Sequence, residues 1–322
     1  MAFETGPANG VDDLLDKLKI FADALGYEIL RWRDSSDYNG KELSLKHSKA
    51  GVFNFYTDNG NGDEGNPGPW LACYGSTSFD SDINTMERNS SNNLAPAQPG
   101  HSPLNATNGL IGPFTRYYFF GTQQYLHIVI EISPGVYAHS SVGTLDKAFD
   151  YVGGEYVVCT SWYHGKYNNR IGSSGDNYHG YPWDNKAYYA SYYDRIRCDL
   201  PDLNHPYWLT FYDREEDGYC WGGMPRNGER GPIHGVFHHS PSTFNGLAPL
   251  FPIMNIARVT GGRRYILGTP ADVRIVNITH LVPGQSMHIG NDEWLIFPVK
   301  SKNGPKGQPN SGIYGLAYRK IV

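Results

Sequence analysis

The sequence predicts a mainly β protein: antiparallel, sandwich-like sheets with one N-terminal α-helix and long loops. Aromatic residues reach 14% and charged residues only 18%, while 38 Gly and 21 Pro punctuate the 322 residues. That balance suits short strands with many turns and does not suit a helical bundle. From Phe114 to Tyr163 several strand signals follow one another across short, well-specified turns. By contrast, a helical period is clear only between Val11 and Leu25.

The helix comes first. Asn9 or Gly10 is placed to cap it, Val11, Leu14, Leu15, Leu18, Phe21, Ala22 and Leu25 form one apolar face, and Gly26 ends it. Asp12 and Asp13 complement the dipole of the first turn. A helix this short needs tertiary packing to persist, so its apolar face is expected against its own domain.

Tyr27 to Trp32, Glu42 to His47 and Val52 to Thr57 read as successive strands, the second with Leu43 and Leu45 on one side and Ser44 and Lys46 on the other. The carboxylates and amides from Asp58 to Asp63 superficially resemble a calcium loop. Glycines fall where ligands should be and no Glu closes the loop at the right distance, so a solvated hairpin loop is the stronger reading. Trp70 to Tyr74 is a further strand.

Ser76 to Gly112 is long, polar and rich in Ser, Asn, Pro and Gly. A loop of that length in a compact domain is usually functional or ordered by a partner. It is read as an extended arm or interface loop, with Ser76, Phe79, Met86, Asn93, Leu94, Leu104 and Leu110 as contact residues; disorder is the competing reading.

Tyr117 to Phe120 and Tyr125 to Ile132 read as strands, and Ser133-Pro134-Gly135 turns the chain into Val136 to His139. Gly153-Gly154 breaks the pattern before Glu155 to Tyr163, which completes a meander. Between Trp162 and Pro232 the chain is dense in Tyr, Trp, Asn, Asp and Gly. Tyr181, Trp183, Tyr188 and Tyr192 there either stack on a glycan or build strand faces and cores, and the second reading has the better odds.

Trp208 to Tyr212 is a strand that ends in a charged turn. Asp213 and Glu216 in that turn have the residue types of a glycoside-hydrolysing pair, but nothing positions them as facing acids. His234, His238 and His239 lack a Cys or carboxylate at ligand spacing, which favours packing or surface roles over a metal. Leu250 to Ile256, Tyr265 to Leu267, Val273 to Asn277, Trp294 to Pro298 and Ile313 to Val322 supply the closing strands.

The segments TRYYFFGTQQYLHIVIEISPGVYAHSSVGTLDKAFDYVGGEYV, MAFETGPANGVDDLLDKLKIF, DEWLIFPVKSKNG and GIYGLAYRKIV together resemble a family of structural proteins encoded among the tail genes of tailed bacteriophages. The resemblance covers the N-terminal half and the C-terminus, and no catalytic motif defines the family. It implies a non-enzymatic virion component without cofactors, made in the host bacterial cytoplasm. Such a protein is assembled in the tail, at the baseplate, tail tip or neck/collar, as a homo-oligomeric ring in contact with other phage tail proteins. The alternative is a host-surface module of the tail in which the aromatic middle binds a glycan.

The rest of the sequence is consistent with that class. A formal net charge of -5 with no Lys/Arg cluster gives no footprint for nucleic acid. No apolar run approaches a membrane span, and the N-terminus lacks the regions of a signal peptide. Cys73, Cys159, Cys198 and Cys220 have no CxxC pairing and read as buried thiols. No GxSxG, HExxH, P-loop or dinucleotide fingerprint is present. The expected organisation is 1–162 as helix plus antiparallel strands, 163–246 as an aromatic, loop-rich insert and 247–322 as strands completing the fold, or one domain throughout.

Overall fold

The computed structural model describes residues 2–36, 39–60, 69–81, 100–104, 112–159, 195–200, 208–211, 219–222, 247–259, 261–302 and 313–321. The chain opens with β1 (Phe3–Ala8) and α1 (Val11–Ala24). Gly10 has no side chain to cap with; instead Asp13 reaches back and accepts from the Asn9 N–H at 2.7 Å. At the other end Gly26 takes φ +88, so the Tyr27 N–H can donate to the Ala22 carbonyl and that of Gly26 to Asp23. This is a Schellman stop, and it turns the chain directly into the first sheet.

That sheet is an antiparallel meander in chain order: β2 (Glu28–Asp34), β3 (Lys41–His47), β4 (Gly51–Asp58), β5 (Trp70–Ser76) and β6 (Gly100–Leu104). Its last strand falls inside the stretch from Ser76 to Gly112, expected as one long loop. Leu71 to Gly75 pair with Leu104 to Gly100, so the loop's far end returns to the sheet it left.

The central sheet has eleven strands. β7 (Phe114–Gly121), β8 (Tyr125–Ser133) and β9 (Val136–Thr144) form its meander, with β1 on the outer side of β7. β9 runs almost directly into the two-residue β10 (Asp146–Lys147). Beyond β9 the order continues through β11 (Val152–Cys159), β12 (Arg195–Asp199), β13 (Trp208–Phe211) and β14 (Tyr219–Gly222). β15 (Leu250–Pro252) leaves for another sheet, and β16 (Asn255–Arg258) and β17 (Arg264–Thr269) follow β14, with β17 pairing to β10. Since β10 is the continuation of β9, the far end of the sheet returns to its middle and closes a ring of strands. Tyr156, Ile196, Leu209, Ala257 and Leu267 fill one face of that ring and are buried. The sheet takes strands from all three sequence segments.

The C-terminal sheet orders as β15, β18 (Val273–Asn277), β21 (Tyr314–Lys320), β20 (Asp292–Pro298) and β19 (Gln285–Ile289). Leu250 to Ile256, expected as one strand, is therefore two strands in two sheets. Pro252 cannot donate to a ladder, which fits a break at that point.

Both faces of the β7–β8–β9–β11 region are covered. Tyr117, Phe119, Leu126, Ile128, Ile130 and Val157 join α1 and the N-terminal sheet in one core. Tyr118, Phe120, Val129, Tyr156 and Val158 join Val273, Ile275, Phe297, Leu316 and Tyr318 of the C-terminal sheet in the other. A smaller cluster, with Val276, Met287, Trp294 and Ala317, lies on the far side of the C-terminal sheet. The continuous aromatic and aliphatic runs of β7 and β8 follow from this, because a strand covered on both faces has no solvent side to keep polar.

The ring closes through a close approach. Gly268 has φ +145, and a Cβ there would lie 2.2 Å from the Asp146 carbonyl oxygen, which is backbone and cannot move aside without opening β10 from β17. Gly268→Ala is expected to destabilise the protein by about 3 kcal/mol, from backbone strain plus steric overlap. The urea midpoint measures it, and an unchanged midpoint would show that the closure contributes nothing.

Candidate functional site

The N-terminal sheet presents a polar row on the face opposite Leu43, Leu45, Phe53 and Phe55. Arg31 lies opposite Ser44, Ser44 opposite Asn54 and Asn54 opposite Tyr74; alongside, Arg33 lies opposite Glu42 and Glu42 opposite Tyr56. Period-2 alternation puts these side chains on one face. The sequence pattern makes this the wet side of the sheet, yet Glu42, Ser44 and Asn54 are 0% exposed.

Burying a carboxylate demands partners, and Glu42 has them. Its Oε2 accepts from Arg33 Nε at 2.9 Å and lies 3.5 Å from Arg31 Nη1, while its Oε1 accepts from the Ser35 hydroxyl at 3.1 Å. Arg31 is itself buried, which lowers its pKa, and Arg33 beside it acts in the same direction against the pull of Glu42. The Arg31 guanidinium then turns to the chain leaving β5. Its Nη2 donates to the Ser81 carbonyl at 3.2 Å, and it stands 5.0 Å from the centre of the Phe79 ring. Nearby, Asn54 Nδ2 donates to the Ser76 hydroxyl at 3.0 Å, and the Tyr56 and Tyr74 hydroxyls meet at 2.5 Å beneath stacked rings.

These contacts fix the chain where it leaves β5. Ser76 is buried and turned into the sheet, Phe79 is half-buried beneath Arg31, and the Leu104 backbone pairs opposite Leu71. Met86, Asn93, Leu94 and Leu110 lie outside the described residues, as do Tyr181, Trp183, Tyr188 and Tyr192 of the aromatic middle. Asp213, Glu216, His234, His238, His239 and Asp63 also lie outside them. Asp58 is buried at the end of β4 and accepts from the Gly60 N–H at 3.0 Å. Asn59 donates to Asp12 of α1 at 2.6 Å and the Thr57 hydroxyl bonds the same carboxylate, which ties helix to sheet.

The Glu42 oxygens are thus engaged by two arginines and a serine inside one ion cluster. The arrangement can grip a chain segment: it offers a fixed cation, an aromatic contact and a donor to a backbone carbonyl. Sequence reasoning missed Arg31 and Glu42, because alternating charges on a strand look the same whether the face is wet or covered.

A second polar cluster spans the central and C-terminal sheets. The His127 Nε2 lies 2.9 Å from the Ala271 carbonyl and its Nδ1 2.9 Å from the Ser141 hydroxyl. His139 repeats this, with Nε2 at 2.9 Å from the Pro298 carbonyl and Nδ1 at 2.9 Å from the Tyr318 hydroxyl. A carbonyl only accepts, so each Nε2 carries a proton; burial keeps both rings neutral, and each Nδ1 then accepts from a hydroxyl. Tyr125 extends the seam, stacking on His127 and donating to Asp272 at 2.6 Å, where Arg319 also binds. Asp272 holds a left-handed φ of +53, and its carbonyl accepts from the Arg319 N–H. This cluster is wholly interior at the histidines and serves to join sheets.

Cys73, Cys159 and Cys198 are buried free thiols, with burial pushing Cys198 up to about 12. No group of residues suited to a metal ion occurs among the described residues. Comparison with family models and with curated proteins finds no match to this chain.

Glu42→Gln leaves two arginines facing a neutral amide. A loss of about 3 kcal/mol is expected, the usual cost of breaking a buried ion pair. Denaturant unfolding checks it, and limited proteolysis next to Ser81 should quicken in the same variant.

The histidine pair sets the acid limb of stability. Burial lowers both rings from 6.5 to about 4. Between those values the unfolded chain binds protons that the folded chain excludes, so stability is full above about pH 6.5 and falls as the pH drops towards 4, by about 3 kcal/mol for each ring. Urea midpoints at pH 7 and pH 4.5 test this; equal midpoints would contradict the neutral, buried assignment.

Proposed function

We propose that the protein is a non-enzymatic structural component of a tailed-phage virion. It is assembled in several copies in the tail, at the baseplate, tail tip or neck/collar, and works by protein-protein contact. The observation that carries the reading is the anchored root of the arm: Arg31, buried with Glu42 in a cluster that half-exposed Arg33 completes, grips the Phe79–Ser81 stretch where the long segment leaves the sheet. An ion cluster is a poor way to stabilise an isolated fold, since replacing such groups by apolar ones is often neutral or favourable. Its value lies in fixing the direction in which a segment departs. The resemblance of the sequence to tail structural proteins supplies the class of partner, and symmetric assembly of identical chains is the common solution for such proteins.

The structure also narrows the experiment. Ser76, Phe79 and Gly100 to Leu104 belong to the sheet and its root, so the segment to remove is 82–99, replaced by a short Gly/Ser linker. The variant should remain folded by circular dichroism and soluble, and should be missing from particles assembled with it as the sole copy. Incorporation at the level of the unmodified chain would overturn the reading.

A further inference from the structure

Edges decide how a β protein meets other β proteins, because an edge strand offers a row of unpaired N–H and C=O groups. In this molecule most edges are blunted. β1 carries Gly6-Pro7 and a register break between Gly6 and Ala8. β2 carries Glu28, Arg31, Arg33 and Asp34 and has a break between Ile29 and Arg31. β15 has three residues and ends in Pro252, β6 contains Pro103, and the far end of the central sheet is closed by β10 on β17.

β19 has none of these devices. Gln285-Ser286-Met287-His288-Ile289 contains no Pro, Gly, Lys, Arg, Asp or Glu, and it pairs with β20 in unbroken register from Gln285↔Ile296 to Ile289↔Asp292. Among the described residues no strand pairs with its other side, which is the end of the C-terminal sheet. Exposed apolar residues flank it, Val282 at 66% and Ile289 at 37%. The face beneath it is already a core, with Met287 packed among Leu281, Trp294 and Ala248.

We propose that β19 is a pairing edge and that its occupant is β19 of a second copy of this chain, antiparallel about a two-fold axis at Met287. The strand is self-complementary in that register. Gln285 falls opposite Ile289, Ser286 opposite His288 and Met287 opposite itself, so no histidine faces a histidine and no like charges meet. A charged partner strand has no such match here, because the strand itself carries no Lys, Arg, Asp or Glu and the adjacent carboxylate, Glu293, already accepts from Ser286 and Lys320. Pairing joins the two C-terminal sheets, brings the two Met287-centred cores into one, and covers Ile289 on each copy. A two-fold contact is isologous and closes on itself, which prevents an open edge from growing into a fibre. This contact is separate from the arm and stands or falls independently of the virion reading.

The experiment is sedimentation velocity on the full chain at neutral pH across a concentration series. The unmodified chain is expected to show a monomer–dimer equilibrium. The double variant Ser286→Lys with His288→Lys places like charges directly opposite one another on both sides of the dyad and should weaken association by about tenfold or more. The double variant Ser286→Cys with His288→Cys should give a dimer that reductant dissolves. Circular dichroism and the urea midpoint of each variant separate loss of pairing from loss of folding, since both positions are exposed. A chain that stays monomeric at the highest soluble concentration overturns the proposal. So does a dimer unaffected by the double lysine variant in a folded protein, which would place the contact elsewhere.

Discussion

The structure depends on a sheet that has no solvent face where β7, β8, β9 and β11 run. α1 and the N-terminal sheet cover one side, and the C-terminal sheet covers the other. Each large apolar side chain fully buried there contributes about 2 to 3 kcal/mol, and rows such as Tyr117 to Phe120 and Leu126 to Ile130 contribute on both faces in alternation. The same constraint is severe for polar groups, because a hydroxyl or imidazole on either face can meet only protein. His127, His139 and Ser141 comply by bonding one another's strands or the backbone of the opposing sheet. Their bonds to the Ala271 and Pro298 carbonyls reach the ends of β18 and β20, so the polar groups that the aromatic core must tolerate also set how the C-terminal sheet lies against it.

The N-terminal sheet solves a different problem. It alternates in the ordinary way, with Leu43, Leu45, Phe53 and Phe55 inward, but its polar side is covered as well. A covered polar face is stable only if each group finds a partner, and this one concentrates its charge in a single cluster with two arginines on one carboxylate. Arg31 reaches beyond Glu42 to the Ser81 carbonyl and the Phe79 ring, and the charge of Asp80 acts on it from the same stretch. Charge balance inside the sheet and the hold on the departing chain are therefore one interaction seen from two ends.

Most regular elements were legible in the sequence for a plain reason: α1, β3, β4, β7, β8, β18 and β20 carry strong local patterns and lie within a few residues of where those patterns place them. β12, β14 and β19 were not, since Arg-Ile-Arg-Cys-Asp and Gln-Ser-Met-His-Ile carry little apolar signal and exist as strands because a neighbour pairs with them. The closure of β10 on β17 joins residues more than a hundred positions apart through two residues of strand, and no local pattern encodes that. The site was half legible. Loop length and composition picked out Ser76 and Phe79, but Ser76 is held by Asn54 and Phe79 by Arg31, which reads as a solvated edge charge until the burial of Glu42 is known.

Closing part of the central sheet has a consequence for association. A long sheet that ends in open strands invites uncontrolled pairing, and here the ring, the prolines and the charged β2 remove most of that hazard. On the proposed reading, contact with other chains is left to two places: the segment that departs from the Arg31 cluster, and the edge at β19. These differ in kind. An arm reaches a neighbour through side chains and sequence, so it can select one partner among several, whereas an edge strand offers mainly backbone and selects by register and charge. A chain carrying both can form a closed pair through one contact and join an assembly through the other without the two competing for the same surface.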